Sequence, residues 1–259
     1  MSAAPRHTRA AEMLLSLRRP GARPRSLPSE LAPQTEAEAY QVQQEFVRLA
    51  GVRIEGWKAT MLDAQCGTSA PLFAQEIHTS PAAVNCIIGE ALGIEPEVAF
   101  VLKRDLLPLA HGALYRREQL IDAIACAHAA IEIVVSRFET HEGAQPLDRL
   151  ADNISNGGLV LSAPCRDWRA LDLVNLPLRL TLQAADGTRT EQLRRGGHPL
   201  GDPLLPLLWL VNARALGGAS LRAGEVITPG SYAGLHHAPR GTHVVVEFTG
   251  LGTAVLEVS

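Results

Sequence analysis

Ile94-Glu95-Pro96-Glu97-Val98-Ala99-Phe100-Val101-Leu102 is the stretch on which the reading of this chain turns. Its apolar, partly β-branched run predicts a strand, and in a strand residues two apart point to one face. Glu95 and Glu97 then stand side by side at the head of an otherwise apolar segment. Neighbouring carboxylates repel, and burying them uncompensated costs several kcal/mol, so something positive must hold them together. A second anomaly is Ile131-Glu132-Ile133-Val134-Val135, where one glutamate sits among apolar, mostly β-branched residues and is a buried charge unless paired. Three carboxylates from two strands form an all-oxygen, hard-ligand set suited to Mg²⁺ or Mn²⁺, with water or substrate completing the octahedron. Spacing alone leaves other arrangements open. Glu95 would be solvated in a loop, Glu97 would face outward, or Glu132 would pair with Arg137 or close a helix.

Composition narrows the field around these residues. The 259-residue chain is 46% hydrophobic and 20% charged, enough for one substantial core with a small N-terminal appendage. A net charge of -3 gives no electrostatic footprint for nucleic acid or an anionic membrane surface. No apolar run reaches the roughly 18 residues that span a bilayer. The N-terminal patch Met13–Leu17 is short and flanked by arginines, which predicts an amphipathic first helix in a cytoplasmic protein rather than a signal peptide. Cys66, Cys86, Cys126 and Cys165 show no CxxC spacing, so neither a disulfide framework nor a zinc site is expected. Of 24 basic residues only Lys58 and Lys103 are lysines. Lysine offers a compact ammonium with a tunable pKa, which arginine does not. Lys58 lies in the strand-like run Gly56-Trp57-Lys58-Ala59-Thr60-Met61, where it either snorkels from an edge or trades protons beside a metal.

Helices are expected over residues 8–18 and 35–50, joined by a Pro-rich connector, with strands from about Ile54. RREQLIDAIACAHAA reads as a helix from its apolar spacing, and a further helix is expected over 147–156. LPLRLTLQAADGTRTEQLRR predicts a hairpin turning at Asp186-Gly187. GDPLLPLLWLVNARALGG predicts a helix, and VITPGS, THVVVEFTG and TAVLEVS predict closing strands. The expected class is α+β: a helical region over residues 1–50 packed on a rolled, barrel-like mixed sheet domain over 51–259.

Taken in order, these segments resemble the 2-keto-4-pentenoate hydratase/4-oxalocrotonate decarboxylase branch of the fumarylacetoacetate hydrolase superfamily. GWKA is similar to that branch's segment carrying an active-site lysine, and IEPEVAFVLKRDL to its E-x-E segment. AAIEIVVSRF resembles the segment of the third ligand, and LADNISNGGLVL the A-D-N-x-S-x-G stretch at the site's rim. The resemblance implies Glu95, Glu97 and Glu132 as ligands of Mg²⁺ or Mn²⁺, and Lys58 as proton carrier. It implies Asp152 and Ser155 as groups orienting water or the substrate carboxylate, and Asn153, Thr228 and Ser231 as substrate contacts. The chain departs from the pattern at Thr60-Met61-Leu62-Asp63 and at Thr228-Pro229-Gly230-Ser231, and the loop YAGLHHAPRG adds His236 and His237, possible acid–base groups or extra ligands.

The chemistry so implied is hydration of a 2-hydroxy-2,4-dienoate to a 4-hydroxy-2-oxo acid. A homo-oligomer is expected, associating in some cases with a related decarboxylase or aldolase. Decarboxylation of a 2-oxo-enedioate, C–C hydrolysis of an acylpyruvate, and a catalytically silent partner subunit are the competing readings.

Overall fold

The computed structural model describes residues 4–61 and 66–259; Leu62 and Asp63, noted above, lie outside the described residues. Two helices lead, α1 (Arg6–Ser16) and α2 (Glu36–Ala50). Thr35 caps α2, its side-chain oxygen accepting from the Glu38 N–H, and Gly51 ends it in the left-handed conformation. There follow β1 (Ile54–Met61), β2 (Gly67–Phe73), β3 (Ile77–Thr79), β4 (Ala82–Val84) and β5 (Ala91–Leu102). Next come α3 (Arg117–Ala123), β6 (Ile124–Val134), α4 (Pro146–Ala151) and β7 (Asn156–Leu161). The chain continues with β8 (Pro177–Gln183), β9 (Arg189–Arg195), α5 (Leu204–Leu216) and β10 (Val226–Thr228). It closes with β11 (His236–Pro239), β12 (His243–Phe248) and β13 (Gly252–Val258).

The strands form two mixed sheets. The larger runs β2-β1-β10-β5-β6-β7-β3, with β11 also paired to β5, and the smaller runs β4-β13-β12-β8-β9. The α+β class expected from the sequence is the one observed. The rolled mixed sheet expected as the core is the larger of these two sheets, and neither closes into a barrel among the described residues. Alternate residues of β5 and β6, Val98, Phe100, Ile131 and Ile133, join Leu180, Val244, Val246 and Leu256 of the smaller sheet in one buried core. Phe100 meets Trp168 edge-on at 5.5 Å between ring centres.

The opposite face of the large sheet curls over a small apolar cluster of Leu72, Ala99, Ala130, Leu159 and Val226, bringing β2 and β7 together although they stand apart in the strand order. A separate apolar cluster joins Leu14, Val42 and Phe46 of α1 and α2 to Phe73, Phe138 and Leu150. Arg18, just past α1, lies over the rings of Phe46 and Phe73, pairs with Glu76 and donates to the Asn156 carbonyl at 3.2 Å. The helical segment is thereby tied to the sheet through a half-buried cation as well as through apolar packing.

Two helical expectations stop short. RREQLIDAIACAHAA is helical only to Ala123, after which β6 pairs with β5 along its whole length, from Leu102↔Ile124 to Gly93↔Val134. Cross-strand pairing outweighs the alanine-rich helical propensity there. The helix expected over 147–156 ends at Ala151, and Asn153, Ile154 and Ser155 turn left-handed, with φ of 53°, 52° and 55°. Strands β2, β3, β4 and β11 escaped the sequence reading.

Candidate metal and proton-transfer site

Register explains why the charged residues meet. Glu95 pairs with Glu132 across β5 and β6, and Glu97 follows two residues on, so all three carboxylates leave the same face of the sheet. Lys58 pairs with Thr228 across β1 and β10, on the same face. This is the reverse of the face packed on the smaller sheet and also carries Ala99, Ala130 and Val226. Carboxylate oxygens of Glu95, Glu97 and Glu132 all lie within 4.8 Å of one another. The Lys58 ammonium is paired with Glu132 and also donates to the Ile154 carbonyl at 2.9 Å.

The electrostatics of this cluster are incomplete. Burial, followed by the neighbouring charge of Glu132, pushes the Glu95 carboxyl up to about 7. Glu97 is fully buried and is pushed well above the carboxylate range by burial and then by Glu132 and Glu95. Its Oε2 accepts from the Gly230 N–H at 3.1 Å, while its Oε1 has no hydrogen-bond partner. A buried acceptor without a partner among converging carboxylates fits a hard divalent cation, which would satisfy all three at once. Gly230 reaches Glu97 from a φ of 113°, a conformation that side-chain-bearing residues rarely adopt.

A cavity of about 460 Å³ opens on the cluster, walled by Lys58, the three glutamates, Ser231, His198, His141 and Arg149. The expected substrate contacts divide. Ser231 lines the cavity and donates to the Gly234 carbonyl at 3.1 Å. Thr228 and Asn153 are buried and absent from the cavity wall; the Thr228 hydroxyl and both Asn153 amide atoms lack partners. Asp152 is a correction to the expectation of direct action on water or substrate. It is buried against Arg137, which donates from Nε to its carboxylate and from Nη2 to its carbonyl, the latter at 2.9 Å. Ser155 is likewise fully buried, and its hydroxyl meets His141 at 3.0 Å rather than the cavity.

His236 and His237 sit on β11, opposite Ile94 and Gly93, and line a separate small recess. That removes them from the cluster as ligands. The cavity's own histidines, His141 and His198, were not singled out in the sequence because each occupies an ordinary polar loop with no periodic signal. Arg149 was missed although it lies on α4, because nothing in a short helix marks which of its charged residues faces a cavity.

The architecture is that of solved proteins of the fumarylacetoacetate hydrolase type. Over 100% of both chains it is similar to 4-oxalocrotonate decarboxylase from Pseudomonas putida G7, solved with magnesium and adipate, at a TM-score of 0.78 and 22% identity. Fumarylpyruvate hydrolase from Pseudomonas aeruginosa, solved with Mn²⁺ and pyruvate, matches at a TM-score of 0.52 and 13% identity, over 80% of this chain and 89% of that one. These likenesses establish the fold. Sequence relatives carry the assignment further. The chain is 32% identical over 218 residues to a 2-keto-4-pentenoate hydratase of Paraburkholderia phymatum, covering 81% of this chain and 75% of the relative. It is 31% identical over 163 residues to 2-hydroxyhexa-2,4-dienoate hydratase of Comamonas testosteroni, covering 63% of this chain and 58% of that one. A 2-keto-4-pentenoate hydratase of Burkholderia vietnamiensis is 37% identical over 140 residues, about half its length at 49%. No protein-family profile matches the chain. The chain belongs to the 2-keto-4-pentenoate hydratase family.

Proposed function

We propose that this protein is a metal-dependent hydro-lyase of aromatic-compound catabolism. It adds water to a 2-hydroxy-2,4-dienoate of the 2-oxo-4-pentenoate type and gives a 4-hydroxy-2-oxo acid. The observation that carries the reading is the convergence of Glu95, Glu97 and Glu132 with Lys58 on one cavity, with a buried Glu97 oxygen lacking a partner. The three glutamates would hold Mg²⁺ or Mn²⁺. When bound, the ion offsets negative charge developing at the 2-oxygen of a 2-oxo acid. Lys58, held between Glu132 and the Ile154 carbonyl, moves the proton along the conjugated chain. Ser231 on the cavity wall contacts the substrate, whereas Asn153 and Thr228 support that wall from behind.

The test is purified protein with Mg²⁺ or Mn²⁺ and a 2-hydroxy-2,4-dienoate. Loss of dienol absorbance with formation of the 4-hydroxy-2-oxo acid is expected; no turnover of any such dienoate overturns the reading. One feature favours a second reaction. Arg149 lines the cavity and has no carboxylate partner among the described residues, so it would face a second carboxylate. Release of CO₂ from a 2-oxo-enedioate would assign decarboxylation instead.

Homo-oligomeric assembly, and association with a related decarboxylase or aldolase, belong to the same proposal and are read by sedimentation of the protein alone and mixed. No described helix is long and apolar enough to cross a membrane, and a cytoplasmic location is part of this reading.

A further inference from the structure

Adding water across a conjugated double bond needs two proton transfers at different atoms, one away from the attacking water and one onto the adjacent carbon. Lys58 accounts for one of them. The cavity wall carries a second group of suitable chemistry. His141 is half-buried there, in the segment between β6 and α4. Its Nδ1 is occupied by the buried Ser155 hydroxyl at 3.0 Å, and its Nε2 has no protein partner among the described residues. His198 provides the contrast on the same wall. Its Nε2 meets the Pro229 carbonyl at 3.0 Å and its Nδ1 accepts from the Leu200 N–H at 3.3 Å, so neither nitrogen is free to act.

The placement of His141 is enforced by strain. Asn153, Ile154 and Ser155 are three consecutive non-glycine residues in the left-handed region, each costing on the order of 1 kcal/mol or more. Arg137 grips both ends of this turn, donating to Asp152 at one side and to the Asn156 carbonyl at 2.9 Å on the other. Two groups are aimed as a result. The Ile154 carbonyl meets the Lys58 ammonium, and the Ser155 hydroxyl meets His141. One strained turn thereby orients both candidate proton carriers.

We propose that His141 is the general base that activates water, with Ser155 as its positioning residue. The inference rests on the hydratase reading. Nε2 takes a proton from water as the water oxygen bonds to C4 of the 2-oxo-3-enoate. The C3–C4 π pair shifts toward the C2 carbonyl, and Lys58 delivers a proton to C3 as the carbonyl re-forms. Water is divided between C4 and C3, and the two carriers return to their starting states by proton exchange with solvent. The groups around His141 suit a neutral ring. Burial disfavours the imidazolium first, followed by Arg149 from α4 and Lys58 from β1; His237 from β11 adds to this, while neighbouring Glu142 favours the charged form. His141 is therefore held below the ordinary histidine range and is a base near neutral pH.

The experiment compares wild type, H141A and S155A at saturating Mn²⁺, following tautomerisation and hydration separately. H141A is expected to keep dienol-to-ketone conversion and to lose hydration by about 10²-fold or more, with recovery on adding imidazole. The wild-type rate should fall at acid pH through a limb that H141A lacks. S155A, which removes one hydroxyl, should lower kcat with little change in KM and shift that limb. Wild-type hydration rates and an unchanged acid limb in H141A, or in S155A should H141A not fold, overturn the role of His141 while leaving the hydratase reading standing. A wild-type protein inert toward every dienoate overturns both.

Discussion

The two faces of the large sheet are built from the same strands and behave as different materials. On the face packed against the smaller sheet, Val98, Phe100, Ile131 and Ile133 are fully buried among other apolar side chains. On the other, the alternating partners Glu95, Glu97 and Glu132 meet Lys58 beside the small apolar cluster of Ala99, Ala130 and Val226. A period-two strand separates the faces completely, so a fold-stabilising surface and a charged surface lie one residue apart without sharing contacts. Burial is close to total on both. The first gains stability from burying Phe100; the second is destabilised by burying Glu97, and only function or a bound cation accounts for its retention.

That contrast can be broken experimentally. The largest effect is expected on the charged face. Glu97→Gln should abolish Mn²⁺ binding in calorimetric titration and lower turnover by about 10³-fold or more while circular dichroism stays native. Unchanged metal affinity would take Glu97 out of the site. Lys58→Met should cost about 10²–10⁴-fold in kcat while Mn²⁺ still binds, and a wild-type kcat would refute the proton-carrier role.

The opposite face should show the reverse pattern. Phe100→Ala is expected to lower unfolding free energy by about 3–5 kcal/mol in denaturant melts, with metal affinity of the folded fraction unaltered. Loss of metal affinity in that variant would mean the faces are coupled.

The smallest expected effect is a pH dependence. The Glu95 carboxyl titrates at about 7 without metal, above its ordinary value, and must be deprotonated to act as a ligand. Metal affinity is therefore retained above that pH and lost as pH falls through it. From about pH 8 to about pH 6 the loss should be roughly tenfold, read by titration calorimetry. An affinity flat over this range would show that Glu95 does not ligate.

Much of this was legible in the sequence because it is local. Strand periodicity places Glu95 and Glu97 on one face, and the Asp186-Gly187 turn marks its hairpin, observed as β8 pairing β9. Other features were illegible for definite reasons. His141 lies in a polar loop, where sequence carries no period, and Arg149 on the short helix α4; both reach the cavity only through the fold. Asp152 belongs to a motif that suggests chemistry, yet its carboxylate is taken by Arg137, a partner 15 residues away that spacing does not reveal.

The amino-acid order alone determined the alternation that puts charges on one side of β5 and apolar residues on the other, since side-chain direction in a strand follows from backbone geometry. Tertiary structure decided which strands became neighbours, and so which carboxylates came within reach of one another. It also decided that a turn of three left-handed residues would be held in place by a buried arginine. Those outcomes depend on pairing and burial across long stretches of chain, and no local rule encodes them.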